Sequence, residues 1–87
     1  MKMNVKKIEI LREYNLLITY SNNEKKVFDM KNYWLWNKGD FLKLHNLETF
    51  NKVNPVFDTI QWDNGLEIAP EELYNESVVY HSQSSAI

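Results

Sequence analysis

Apolar and polar residues roughly alternate over residues 5–12, with Ile8 and Ile10 on one face and Lys7 and Glu9 on the other. A period of two predicts a half-buried strand. Glu13 breaks the period. Residues 14–20 then predict a second strand, with Leu16, Ile18 and Tyr20 on one side. Leu17 on the opposite side implies that this second face is partly covered too. Residues 21–24 (Ser-Asn-Asn-Glu) predict a turn, because Asn tolerates left-handed backbone, and residues 25–30 return as a third strand. The chain therefore opens with a three-stranded antiparallel meander.

The pattern changes after residue 30. Residues 31–38 are dense in aromatics, namely Tyr33, Trp34 and Trp36, and Gly39 interrupts them. Asp40 is placed to cap a short helical turn starting at Phe41, where Phe41 and Leu44 lie three apart on one side. Residues 31–48 thus predict one or two short helices. Residues 51–57 predict a strand that Pro55 confines to an edge or bulge. Alternation resumes over residues 58–62, with Ile60 and Trp62 facing together. Asp63-Asn64-Gly65 is the sharpest turn signal, and Asn-Gly favours a two-residue type I′ hairpin into a short strand at residues 66–68. Ala69-Pro70-Glu71-Glu72 predicts a helix start, since Pro suits the first position and acids suit the positive end of the helix dipole. Leu73 and Tyr74 would fold back on the sheet.

The predicted fold class is α+β: a small single domain over residues 1–75 with two antiparallel β segments, the N-terminal meander and a C-terminal hairpin, and short intervening helices. Residues 76–87, rich in Ser with only Val78, Val79 and Tyr80 breaking the polarity, predict a flexible tail.

Size and charge narrow the function classes. A chain of 87 residues buries a modest share of its surface and benefits from disulfides, metals or oligomerisation. It has no cysteine, which excludes disulfides and thiolate metal sites and raises the weight of a homo-oligomer or a tight partner. Three Trp, five Tyr and four Phe supply large buried areas instead. Ten basic residues against twelve acidic ones give a net charge of −2, which disfavours nucleic acid because phosphate contacts need basic excess. Lys2, Lys6 and Lys7 are followed by no apolar run, so they do not read as a signal peptide. The expected location is cytoplasmic, with no membrane partner.

Candidate chemistry is sparse. His45 and His81 are the two histidines, too few and too far apart for the converging ligands a metal requires. Ser21 lies in a turn and the other serines in the tail, so no nucleophile, base and orienting group come together. Asp58, Asp63, Glu67, Glu71 and Glu72 cluster near the second hairpin, where turn and helix-start roles account for them. Asp29 ends a strand and is placed to cap the next segment. Two glycines in separate turns cannot form a phosphate cradle. No catalytic residue, cofactor or metal is predicted. Trp34 and Trp36, two apart, cannot point the same way on a helix. The segment either roofs the sheet as core or leaves a ring outside as a binding hot spot. Tyr33, Trp34 and Trp36, together with Tyr80 in a tail that could add as a strand to a partner's sheet, are the candidate partner-binding residues.

The order of these pieces resembles domain-of-unknown-function family 2442. The resemblance rests on Tyr14-Asn15-Leu16, Val27-Phe28-Asp29, Phe41-Leu42-Lys43-Leu44, then Phe50 with Val53, Ile60-Gln61-Trp62, Asn64-Gly65 and Ile68-Ala69-Pro70-Glu71-Glu72-Leu73-Tyr74. It covers roughly residues 5–75, and Glu67 departs from the Asp often found in the family. The resemblance implies a small α+β protein of bacterial or phage type with no assigned reaction. Members often look like one half of a two-gene pair with a small toxin-like protein, and others carry a helix-turn-helix domain, a motif not seen after residue 75 here. The expected function is therefore a non-catalytic protein-binding module, antitoxin-like or inhibitory towards a neighbouring gene product. A nucleic-acid-associated regulator is the alternative, and a small enzyme ranks last.

Overall fold

A computed structural model describes residues 3–80. The N-terminal meander forms as β1 (Val5–Ile10), β2 (Asn15–Tyr20) and β3 (Lys25–Asp29). All pairings are antiparallel, with Ile8 opposite Ile18 and Leu16 opposite Phe28. Asn23 supplies the left-handed backbone of the β2–β3 turn at φ 70°. Because β2 is flanked on both sides, its Leu16, Leu17, Ile18, Thr19 and Tyr20 are all buried, whereas β1 is largely exposed. Ile8 is half-buried against the core, and Ile10 reaches the surface.

The middle segment is a series of tight turns with little regular helix. One 3-10 turn covers Met30–Asn32, a second covers Gly39–His45, and α1 is the single turn Leu47–Phe50. Asp29 does cap the first, its Oδ1 accepting from the Lys31 N–H at 3.1 Å. The cap expected of Asp40 does not form. The 3-10 turn starts two residues earlier, at Gly39 with φ 54°, so Asp40 sits inside it and pairs with Lys43 at 3.6 Å. Asn46 caps α1 instead, accepting from the Thr49 N–H.

The second β segment is the two-stranded sheet β4 (Val53–Val56) and β5 (Thr59–Trp62). Ile60 and Trp62 point together into the core, as their spacing predicts. The next turn differs from the expected type I′. Type I′ needs positive φ at both central residues. Among the described residues Asn64 is not one with positive φ, and Gly65 takes φ 92° instead. The result is a three-residue loop, Asp63-Asn64-Gly65, closed by the Gly65 N–H on the Trp62 carbonyl and by the Trp62 N–H on the Leu66 carbonyl. The returning segment is a single bridge between Gln61 and Glu67.

α2 (Pro70–Glu76) begins with Pro70 in the first turn beside Glu71 and Glu72, and buries Leu73 completely. It outruns the boundary expected after residue 75. Val78–Val79 then forms β6, which pairs antiparallel with β3 and completes a sheet of order β1-β2-β3-β6. Residues 76–80 thus belong to the fold, and the segment expected to seek a partner's sheet adds to this chain's own. The rest of the predicted tail, 81–87 with His81, lies outside the described residues. One core joins the inner face of the large sheet, the β4–β5 hairpin, α2 and the aromatic turns: Leu16, Ile18, Phe28, Phe50, Trp62 and Leu73 are at its centre. No helix is long and apolar enough to cross a membrane among the described residues.

Candidate functional site

Three successive tight turns run through the aromatic segment: the Tyr33 N–H donates to Met30, Trp36 to Tyr33 and Lys38 to Leu35. Turns of this kind send neighbouring side chains in different directions, and the three rings separate accordingly. Tyr33 and Trp36 are buried, at 4% and 7% exposure. Trp34 stands out at 58% exposure.

Trp36 packs between Tyr14 and His45, with ring centroids 4.8 and 4.1 Å away, the His45 ring stacked on the indole. His45 Nε2 donates to the Trp36 carbonyl at 3.0 Å, so this histidine has a structural role. Tyr33 packs against Phe28 and Phe41 with centroids under 6 Å apart, and its hydroxyl donates to Glu72 Oε1 at 2.5 Å. Burial first, and then that carboxylate, push the Tyr33 phenol well above its ordinary pKa, so it remains a donor.

The second oxygen of Glu72 accepts from the Trp34 indole Nε1–H at 3.1 Å. One carboxylate on α2 therefore holds a core tyrosine and a surface tryptophan together. The Lys38 ammonium lies 5.8 Å from the Trp34 ring centroid, within cation–π range. The polar edge of the indole is tied down, while the residue as a whole stays largely exposed. Glu72 had a sufficient local explanation as a helix-start acid; its reach of 38 and 39 residues to these rings has no local signal.

Tyr80, the fourth candidate, follows β6, where its N–H donates to the Lys25 carbonyl at 2.9 Å and the residue is 37% exposed. Val78 and Val79 beside it are more exposed still. β1 and β6 are the two edges of the large sheet.

Several other polar groups are paired within the chain, whereas the buried Asn15 Oδ1 and Tyr20 hydroxyl have no hydrogen-bond partner among the described residues. Asp63 accepts from the Asn54 amide at 3.1 Å, and Glu24 accepts from the Tyr74 hydroxyl at 2.8 Å. The Glu13–Lys31 pair at 2.8 Å lowers the carboxyl pKa and raises that of the ammonium, chiefly through their hydrogen bond. Of the N-terminal lysines, Lys6 donates to Asn23 and Lys7 pairs with Glu9 at 3.5 Å. Among the described residues no three His, Cys, Asp or Glu side chains converge as metal ligands would.

Two clefts were not foreseen. One, of about 320 Å³, lies between the ends of β2 and β3 and the end of α2, lined by Asn15, Asp29, Asn32 and Glu76. The other, of about 260 Å³, lies between the end of β2, the β4–β5 tip and α2, with Met3, Tyr20, Pro70 and Tyr74 among its walls. Each gathers residues from distant parts of the chain, which no local pattern announces.

No curated protein and no solved structure matches the chain. The family model described as a protein of unknown function (DUF2442) matches residues 5–79, from the first strand to the last, and the chain belongs to that family.

Proposed function

We propose that this chain is a non-catalytic protein-binding module, antitoxin-like or inhibitory, that meets a partner encoded nearby in the cytoplasm through a face centred on Trp34. The observation that carries this reading is the state of that side chain: a large indole, 58% exposed, with its Nε1–H fixed by Glu72. Tryptophan is the residue type most enriched among binding hot spots. A ring already held in place loses little rotamer freedom on association, so more of its contact energy appears as affinity. Tyr33 and Trp36 support it from the core rather than touching the partner.

The test is capture of partners from the native host with the wild-type chain and with Trp34→Ala. The variant loses one solvent-facing hydrogen bond and partial ring contacts, so its stability should fall by about 1 kcal/mol or less. Loss of a partner bound at fixed ratio, with an unchanged circular dichroism spectrum, is the expected outcome. Full retention of every partner would remove Trp34 from the interface. Salt-sensitive retention on nucleic acid, unaffected by Trp34→Ala, would favour the regulatory alternative.

A further inference from the structure

Tyr20 ends β2 and is only 2% exposed, yet its hydroxyl has no hydrogen-bond partner among the described residues. A buried hydroxyl left unmatched opposes folding, and phenylalanine would fill the same space without that cost. The core uses the ring, which meets Tyr74 edge-to-face at 5.2 Å, and has no use for the oxygen.

Tyr20 is part of the wall of the 260 Å³ cleft between the end of β2, the β4–β5 tip and α2. Burial first, and then the neighbouring Tyr74, Glu24 and Asp58, raise its phenol pKa to about 12. Tyr74 and Asp58 are walls of the same cleft, so the hydroxyl end of Tyr20 is the end that meets it. Closed to bulk solvent, that hydroxyl can gain a partner only from a group lodged in the cleft.

The charged walls of the cleft, Asp58 and Glu71, are both carboxylates, and Asn75 adds a carboxamide. The Lys26 ammonium, 3.6 Å from the Tyr74 ring centroid, donates to the Tyr74 carbonyl and is not one of the walls. Such walls repel an anion. They attract an ammonium, which packs on aromatic rings and has several N–H donors to share between a phenol oxygen and a carboxylate. An alkyl stem suits the remaining walls, Met3 and Pro70. A cavity of roughly 150 Å³ takes benzene, so a cleft of 260 Å³ has room for a four-carbon amine.

We propose that this cleft binds an alkylammonium group, with the Tyr20 hydroxyl as acceptor, Asp58 and Glu71 as counter-charge, and Met3 and Pro70 against the stem. The site shares no residue with the Trp34 face and stands or falls apart from the partner-binding reading. Two sources carry this chemistry: a free amine, and the side chain of Lys2, one position before Met3 in the chain.

Titration of n-butylammonium into the full 87-residue chain at about pH 7, where the amine is charged, tests the site in the wild type and in Lys2→Met. Binding is followed by the NMR shifts of the Tyr20 ring and the Met3 methyl. Saturable binding with a Kd on the order of 1 mM, at least about tenfold tighter than that of 1-butanol, is expected. Equal affinities in the two backgrounds assign the site to a free amine, and binding at least about tenfold tighter in Lys2→Met assigns it to the chain's own lysine. Tyr20→Phe should keep a thermal midpoint no lower than that of the wild type and weaken amine binding at least about tenfold. Glu71→Gln, at an exposed helix position, should weaken binding with folding unchanged. Absence of saturable shifts up to about 50 mM amine in both backgrounds would overturn the proposal. So would 1-butanol binding as tightly as the amine, or unchanged affinity in Tyr20→Phe. A Tyr20→Phe midpoint well below that of the wild type would overturn it as well, because the hydroxyl would then already be satisfied.

Discussion

Glu72 accepts two hydrogen bonds, and the two have different consequences. The bond from the Tyr33 hydroxyl lies at the edge of the core, where losing an acceptor leaves a buried donor unmatched. The bond from the Trp34 indole lies at the surface, where water can replace it. Glu72→Gln keeps one acceptor oxygen and puts an amide donor in place of the other. It is expected to cost about 1–2 kcal/mol and to leave the Trp34 ring free to reorient. With the negative charge gone, the Tyr33 phenol should ionise at a lower pH than in the wild type, while burial still holds it above the ordinary tyrosine value. Ultraviolet titration of the phenolates would read that change, and Trp34 fluorescence anisotropy would read the freed ring. An unchanged Tyr33 titration would show that Glu72 does not govern it.

At the scale of elements, α2 and β6 depend on a buried lysine. Lys26 on β3 is 7% exposed, and its Nζ donates to the Tyr74 carbonyl at 2.5 Å while lying 3.6 Å from the centroid of the Tyr74 ring. That carbonyl belongs to the last turn of α2, the negative end of the helix, where a cation is favoured. The lysine thus ties the end of α2 to the strand that β6 pairs with. Lys26→Met keeps the apolar stem and removes the charged donor, at an expected cost of about 1.5–3 kcal/mol. The Tyr80 amide, bonded to the Lys25 carbonyl, should exchange slowly with solvent in the wild type and faster in the variant. A Tyr80 amide that exchanges at the unprotected rate in the wild type would mean that β6 does not pair in solution. Local composition misled at this element: a polar, Ser-rich stretch reads as tail, yet Ser77 is buried, with its hydroxyl donating to the Leu73 carbonyl.

At the scale of the whole molecule, aromatic side chains supply much of what a chain of 87 residues needs for a core. Tyr14, Trp36, Phe50 and Trp62 form a run of ring contacts, and the Trp62 indole donates to the Phe50 carbonyl at 2.9 Å. Burying phenols makes stability depend on alkali. Burial first, then nearby negative charge, raises the Tyr20 pKa to about 12, and Tyr33 is raised as well. Between the unfolded tyrosine pKa of about 10 and these raised values, the unfolded chain binds fewer protons than the native one, so stability falls as pH rises. The stabilisation is fully present below about pH 10, and the thermal midpoint should decline steadily from there towards pH 12. A midpoint that stays flat over that range would contradict the buried, protonated phenols. The strands of the meander, the inward pair Ile60 and Trp62, the cap at Asp29 and the Pro70 helix start were legible in the sequence, because period, turn residues and caps are set by neighbours a few positions apart. Which of Tyr33, Trp34 and Trp36 faces solvent, why the Tyr20 hydroxyl is buried without a partner among the described residues, and where Val78 and Val79 pair were decided only by the tertiary structure. Each of these outcomes depends on groups brought together from distant parts of the chain, and the burial of one particular ring is a property of that assembly.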